Sequence, residues 1–170
     1  MEAALWGLLG TIAGASTSIA TTLISSRYAA RLQSSAVTLE RLEKSRSFQR
    51  DTLIELQDAM HDEVRAVSLV YQADEAAFRN SGEWGSQLLG EELNTRVHLA
   101  GRRTNLLAER VADDELRDHV KTLRGLMTSV LMARERATAE MAFRRSMDEG
   151  TAVMEHIGKV LRSLYAVKQA

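Results

Sequence analysis

Hydrophobic and polar positions along this chain follow two different regimes. Residues 3–26, AALWGLLGTIAGASTSIATTLISS, carry no charged side chain over 24 positions. Beyond them, apolar residues recur at steps of three and four among charged ones, which is the period of a helix with one buried face. The first of these later segments continues from the uncharged run, with Leu32, Leu39 and Leu42 at heptad-like spacing. EKSRSFQRDT, residues 43–52, offers only Phe48 as a large apolar side chain and reads as a solvated stalk or soft joint.

Four stripes follow. Leu53, Leu56, Met60, Val64, Val67 and Tyr71 align on one face of a helix that ends near Arg79, where RNSGEWGS supplies two glycines and a helix-starting serine, Ser86. Leu89, Leu93, Val97, Ala100, Leu107 and Val111 make the second face. Asp113 is placed to cap the third helix, with Asp114 and Glu115 in its positively polarised first turn. That helix lines up Leu116, Val120, Leu123, Met127, Val130, Ala137 and Met141. Ser146-Met147-Asp148-Glu149 has the Ser-x-x-Glu form of a capping box and starts a fourth helix, with Met147, Met154, Ile157, Leu161 and Leu164 as its stripe.

The expected fold is therefore all-α: an N-terminal transmembrane helix, then a long helix, then an antiparallel four-helix bundle or coiled-coil domain. Its boundaries are a membrane anchor at 1–26, a basic juxtamembrane stalk at 27–52 and a helical bundle at 53–170. Short turns between similar helices favour an up-down-up-down bundle; an extended coiled-coil hairpin completed by dimerisation fits the same stripes.

The anchor is expected on length, since about 20 mostly apolar residues cross a hydrocarbon core. Thr11, Ser16, Thr17, Ser18, Thr21 and Thr22 dilute it, although hydroxyls can bond back to carbonyls one turn earlier. A signal peptide fits less well because the chain opens Met1-Glu2 without a basic region. Gly10, Gly14, Ser18 and Thr22 recur every four residues and mark a face for close helix packing in lipid.

Charge then gives an orientation. Arg27, Arg31, Arg41, Lys44, Arg46 and Arg50 against Glu40 and Glu43 make residues 27–50 net +4, while sixteen basic and twenty acidic residues make the stretch from Asp51 to the end net −4. Basic flanks stay on the cytoplasmic side, so the expected location is the inner membrane, single-pass, with the N-terminus outside and the C-terminal domain in the cytoplasm.

Composition narrows the class without naming a reaction. The chain has no proline and no cysteine, and 5% aromatic residues. Disulfides and thiolate metal sites are excluded, and packing alone must hold the domain. No strand-to-helix elbow exists to activate a nucleophile, and the scattered glycines form no phosphate loop. Arg102-Arg103 and Arg144-Arg145 are interleaved with Glu and Asp, which describes a solvated face and no nucleic-acid partner. Trp84, between two glycines, either covers the open end of the bundle or contacts a partner.

His61, His98, His119 and His156 fall one on each soluble helix. A di-iron bundle needs Glu-x-x-His on two helices. Only Asp58-x-x-His61 approaches that form; Glu115 and His119 are four apart, and Glu155 adjoins His156. The histidines read as surface or boundary residues, with no metal, cofactor or catalytic residue assigned.

The runs WGLLGTIAGASTSIATTLISSR, QRDTLIELQDAMHDEV and NLLAERVADDELRDHVKTLR together resemble small, uncharacterised bacterial single-pass membrane proteins with an N-terminal anchor and a helical cytoplasmic domain. The resemblance implies a topology and carries no activity or functional residue. The function expected is non-enzymatic: a membrane-tethered adaptor or scaffold that contacts lipid, forms a homo-oligomer or docks a protein partner. The alternatives are a membrane-active or pore-forming effector, which dye leakage from liposomes would reveal, and a metal-binding bundle enzyme, which metal analysis would reveal.

Overall fold

The computed structural model describes residues 2–85 and 90–166, with side chains at 2–6, 8–13, 15–17, 19–20 and 23 outside the description. Four helices make up the described chain: α1 (Glu2–Ser81), α2 (Glu91–Ala108), α3 (Asp114–Leu131) and α4 (Arg136–Tyr165). Two compact units divide it, 1–45 and 46–170.

In the second unit, the α1 stripe and the α3 stripe from Leu116 to Val130 join Leu107 and Val111 of the second stripe and Val153 and Ile157 of α4 in one core. Leu53, Leu56 and Met60 of α1, Leu116 and Leu123 of α3 and Val153 of α4 have no exposed surface. Burial of such side chains stabilises by about 1.5–3 kcal/mol each. Small residues line the buried side of α2, where Ala100, Gly101, Thr104, Leu107 and Ala108 allow a close approach. A Cβ on Gly101 would stand 3.1 Å from the Glu63 carboxylate of α1.

Contacts between helices fix the topology. Asp62 of α1 faces Arg103 of α2. Near the start of the unit, Gln49 meets the α2–α3 junction, donating through Nε2 to the Arg110 carbonyl at 3.0 Å and accepting from the Ala112 N–H at 2.9 Å. Higher on α1, Glu63 pairs with Arg124 of α3 at 3.3 Å. Arg136, the first residue of α4, grips Glu75 of α1 through two bonds of 2.9 Å, while Tyr165 at the other end of α4 lies under Arg50. Consecutive helices therefore run in opposite directions, as an up-down-up-down bundle requires.

Local chemistry explains most of the boundaries. Past Ser81, Gly82 adopts φ 74° and its N–H bonds to the Phe78 carbonyl at 2.8 Å, a left-handed cap that glycine accepts without a Cβ penalty. The Asp113 carboxylate accepts the Leu116 N–H at 2.8 Å, so the expected α3 cap forms. The α4 start differs from expectation. Helix α3 stops at Leu131 and α4 begins at Arg136, which places Ser146 inside a helix. Its side chain is fully buried and donates to the Phe143 carbonyl, so the Ser-x-x-Glu sequence is a packing position, not a cap. The earlier turn also changes the face that Ala137 and Met141 present: both are exposed, and Ala139, Ala142 and Ser146 point inward instead.

A second correction concerns the N-terminal run. Among the described residues, no helix is long and apolar enough to cross a membrane, which overturns the single-pass inner-membrane location and the transmembrane anchor. The run from 3 to 26 is diluted by small and hydroxyl residues, and most of its side chains lie outside the described residues. Eight of the 24 positions from 3 to 26 are Ser or Thr and three are Gly, leaving eight large apolar side chains. Hydroxyls do bond back along α1, as at Thr22 to the Ser18 carbonyl (2.9 Å). That bond satisfies the hydroxyl without making the segment apolar.

The first unit is the opening part of α1. Every residue of 24–45 is exposed, and the helix passes through 43–52 without a break.

Candidate functional site

Residues from the α2–α3 junction, the first turns of α3 and the middle turns of α4 form a polar cluster. Glu115 and His119 are one helical turn apart on α3, so they share a face. His156 of α4 stands beside them, with the two imidazole centres 5.8 Å apart and the rings at 61°. One ligand atom from each of Glu115, His119 and His156 lies within 4.8 Å of the others.

Two further carboxylates hold the rings. Glu149 of α4 meets His119 Nδ1 at 2.7 Å, and Asp113 meets His156 Nε2 at 3.3 Å. The same Asp113 oxygen caps α3, so its position is set by backbone geometry before His156 arrives. Six residues up α3, from Asp113 to His119, correspond to seven residues down α4, from His156 to Glu149, as an antiparallel pair demands. Exposure is partial: 37% for the His119 side chain and 17% for that of His156. His61 and His98, by contrast, are exposed on α1 and α2. His61 borders a shallow groove with Met147 and Met154 of α4.

Four aromatic residues gather at the opposite end. Tyr71 stacks on Phe143 with centroids 4.4 Å apart and planes 4° from parallel, and Trp84 tilts against Tyr71 and Phe78 at 5.7 and 6.1 Å. Trp84 is half-buried, with its indole N–H enclosed and without a hydrogen-bond partner. The turn thus lays Trp84 over α1. Burial, followed by the nearby Glu75 and Glu140 carboxylates, pushes the Tyr71 hydroxyl above its ordinary range.

The other residues singled out in the sequence do not converge. Gly14, Ser18 and Thr22 are exposed along α1, and the surroundings of Gly10 lie outside the described residues. With the membrane span overturned, the lipid-packing role of Gly10, Gly14, Ser18 and Thr22 loses its solvent. Arg27, Arg31, Arg41 and Lys44 are exposed, Lys44 pairing with Glu40 at 2.7 Å. Arg46 and Arg50 are half-buried within the bundle unit, with the Arg50 guanidinium 5.2 Å from the Tyr165 ring centre.

No protein-family model, curated protein or solved structure matches the chain.

Proposed function

We propose that this chain is a non-enzymatic helical interaction protein that pairs with a second copy of itself through residues 28–42 of α1. One observation carries the reading. Leu53, Met60 and Val67, spaced by seven, and Leu56 and Val70, each three residues after the first and last of them, are buried in the bundle. The same register extends back in the sequence to Leu39 and Leu32 in one series and to Leu42, Ser35 and Tyr28 in the other. There the apolar members are exposed: Tyr28 66%, Leu32 55%, Leu39 64% and Leu42 51%.

A two-stranded coil needs two helices with apolar residues at matching heptad positions. A second copy supplies that match automatically, because a two-fold contact sets one surface against itself. Lys44 and Glu40 already satisfy each other within the helix, one turn apart. Their pairing leaves the apolar stripe as the main feature for a partner to recognise.

Sedimentation equilibrium of the full chain tests this. The expected result is a dimer that Leu39→Glu together with Leu42→Glu converts to monomer without loss of helical ellipticity. A full chain that sediments as a monomer at tens of micromolar, or a variant that still dimerises, refutes the proposal.

A further inference from the structure

We infer that Glu115, His119 and His156 bind one divalent transition-metal ion within a single chain, with Glu149 and Asp113 orienting the two imidazoles. The site belongs to the bundle unit and does not depend on pairing through α1.

The donor set selects the class of ion. Two imidazoles and one carboxylate, in a chain without cysteine, suit zinc, cobalt or nickel better than the oxygen-seeking calcium or magnesium. Geometry is close to what one ion needs. Two imidazoles bound at about 2.0–2.1 Å to one tetrahedral ion have ring centres roughly 5–6 Å apart; these stand at 5.8 Å. The donor atoms, within 4.8 Å of one another, must draw in by about an ångström to reach bonding distance. Glu115 is exposed and has the rotamer freedom to do so.

The outer carboxylates strengthen the assignment. A metal-bound histidine characteristically gives its other ring nitrogen to a carboxylate, which fixes the ring and raises its basicity. His119 has such a partner in Glu149, and the cap residue Asp113 places a carboxylate oxygen 3.3 Å from His156 Nε2 as an ion-pair contact. Each imidazole therefore retains one nitrogen for the ion. Bound there, the ion links the first turns of α3 to the middle turns of α4, and three protein ligands leave a fourth position for water.

Isothermal titration of the full chain with zinc tests the inference, with cobalt absorption in the visible as a second readout. One equivalent per chain is expected, together with a rise in melting temperature and no change in the sedimenting mass. Glu115→Gln and His119→Gln should each weaken binding at least tenfold, and Glu149→Gln roughly tenfold, as loss of an outer partner does. The double variant His61→Gln, His98→Gln should bind as the unaltered chain does. Circular dichroism establishes that each variant folds, and the exposed Glu115→Gln decides the matter if His119→Gln does not. Absence of zinc binding overturns the inference. So does affinity unchanged in Glu115→Gln, affinity lost in the His61, His98 variant, or one ion shared between two chains.

Discussion

Residues 53–70 and 28–42 of α1 share one heptad register and differ in what covers it. In the first stretch Leu53, Leu56 and Met60 have no exposed surface because α3 and α4 arrive later in the same chain to cover them. In the second, Tyr28, Leu32, Leu39 and Leu42 are more than half exposed. An apolar stripe specifies a face, and whether the chain itself supplies the cover is a separate fact. Where it does, the stripe contributes to folding; where it does not, the stripe is available for association.

Truncating one leucine from each region breaks or sharpens that comparison most strongly. Leu56→Ala, in the covered stretch, should cost about 2–5 kcal/mol in urea unfolding, since it removes a fully buried side chain and leaves a cavity. Leu39→Ala, in dilute protein, should fall within about 0.5 kcal/mol of the unaltered chain, as exposed substitutions do. Equal losses would mean that residues 28–42 are already covered and would remove the basis of the comparison.

A smaller effect is expected where the two stretches meet. Gln49 occupies a heptad position, and its amide bonds the α2–α3 junction at the Arg110 carbonyl and the Ala112 N–H. Gln49→Ala should cost about 1–2 kcal/mol, between the loss of ordinary hydrogen bonds and that of a buried partner. An unchanged urea midpoint would show that water replaces the amide fully.

The smallest effect depends on pH. Burial holds the Asp74 carboxyl above its ordinary range, so the folded state binds that proton more tightly than the unfolded state does. The resulting stabilisation is present at low pH, below the unfolded value, and is lost as pH rises through the folded value. Asp74→Asn should therefore raise the melting temperature at pH 7 relative to its effect at pH 3. A shift of the same size at both values would show that burial does not act through ionisation.

What could be read in advance depended on whether the signal was local. The α1 stripe from Leu53 to Val67 and the α3 stripe from Leu116 to Val130 were legible because period and burial coincide, and Asp113 because a cap acts within three residues. The α3–α4 turn was not. Residues 131–135, LMARE, contain neither glycine nor proline, and a fully buried serine at 146 imitated a cap. That error hid the histidine cluster, since a turn near 146 would pair α3 and α4 in a register that separates His119 from His156. The spacing of Glu115 and His119 was visible, but its meaning required the partner helix. The run from 3 to 26 is a different case: its length and missing charge predict an anchor even with the hydroxyl dilution counted, and among the described residues no helix is long and apolar enough to cross a membrane.

The most direct test of pairing through α1 uses the absence of cysteine in the natural chain. Ser35 lies midway between Tyr28 and Leu42 on the heptad stripe, so Ser35→Cys meets its own copy whether the paired helices run parallel or antiparallel about that point. Val37→Cys, two residues away, lies on the outer face. The account predicts that mild oxidation converts the Ser35→Cys chain to a disulfide-linked dimer and leaves the Val37→Cys chain monomeric. Equal cross-linking of the two, or none at residue 35, would contradict it.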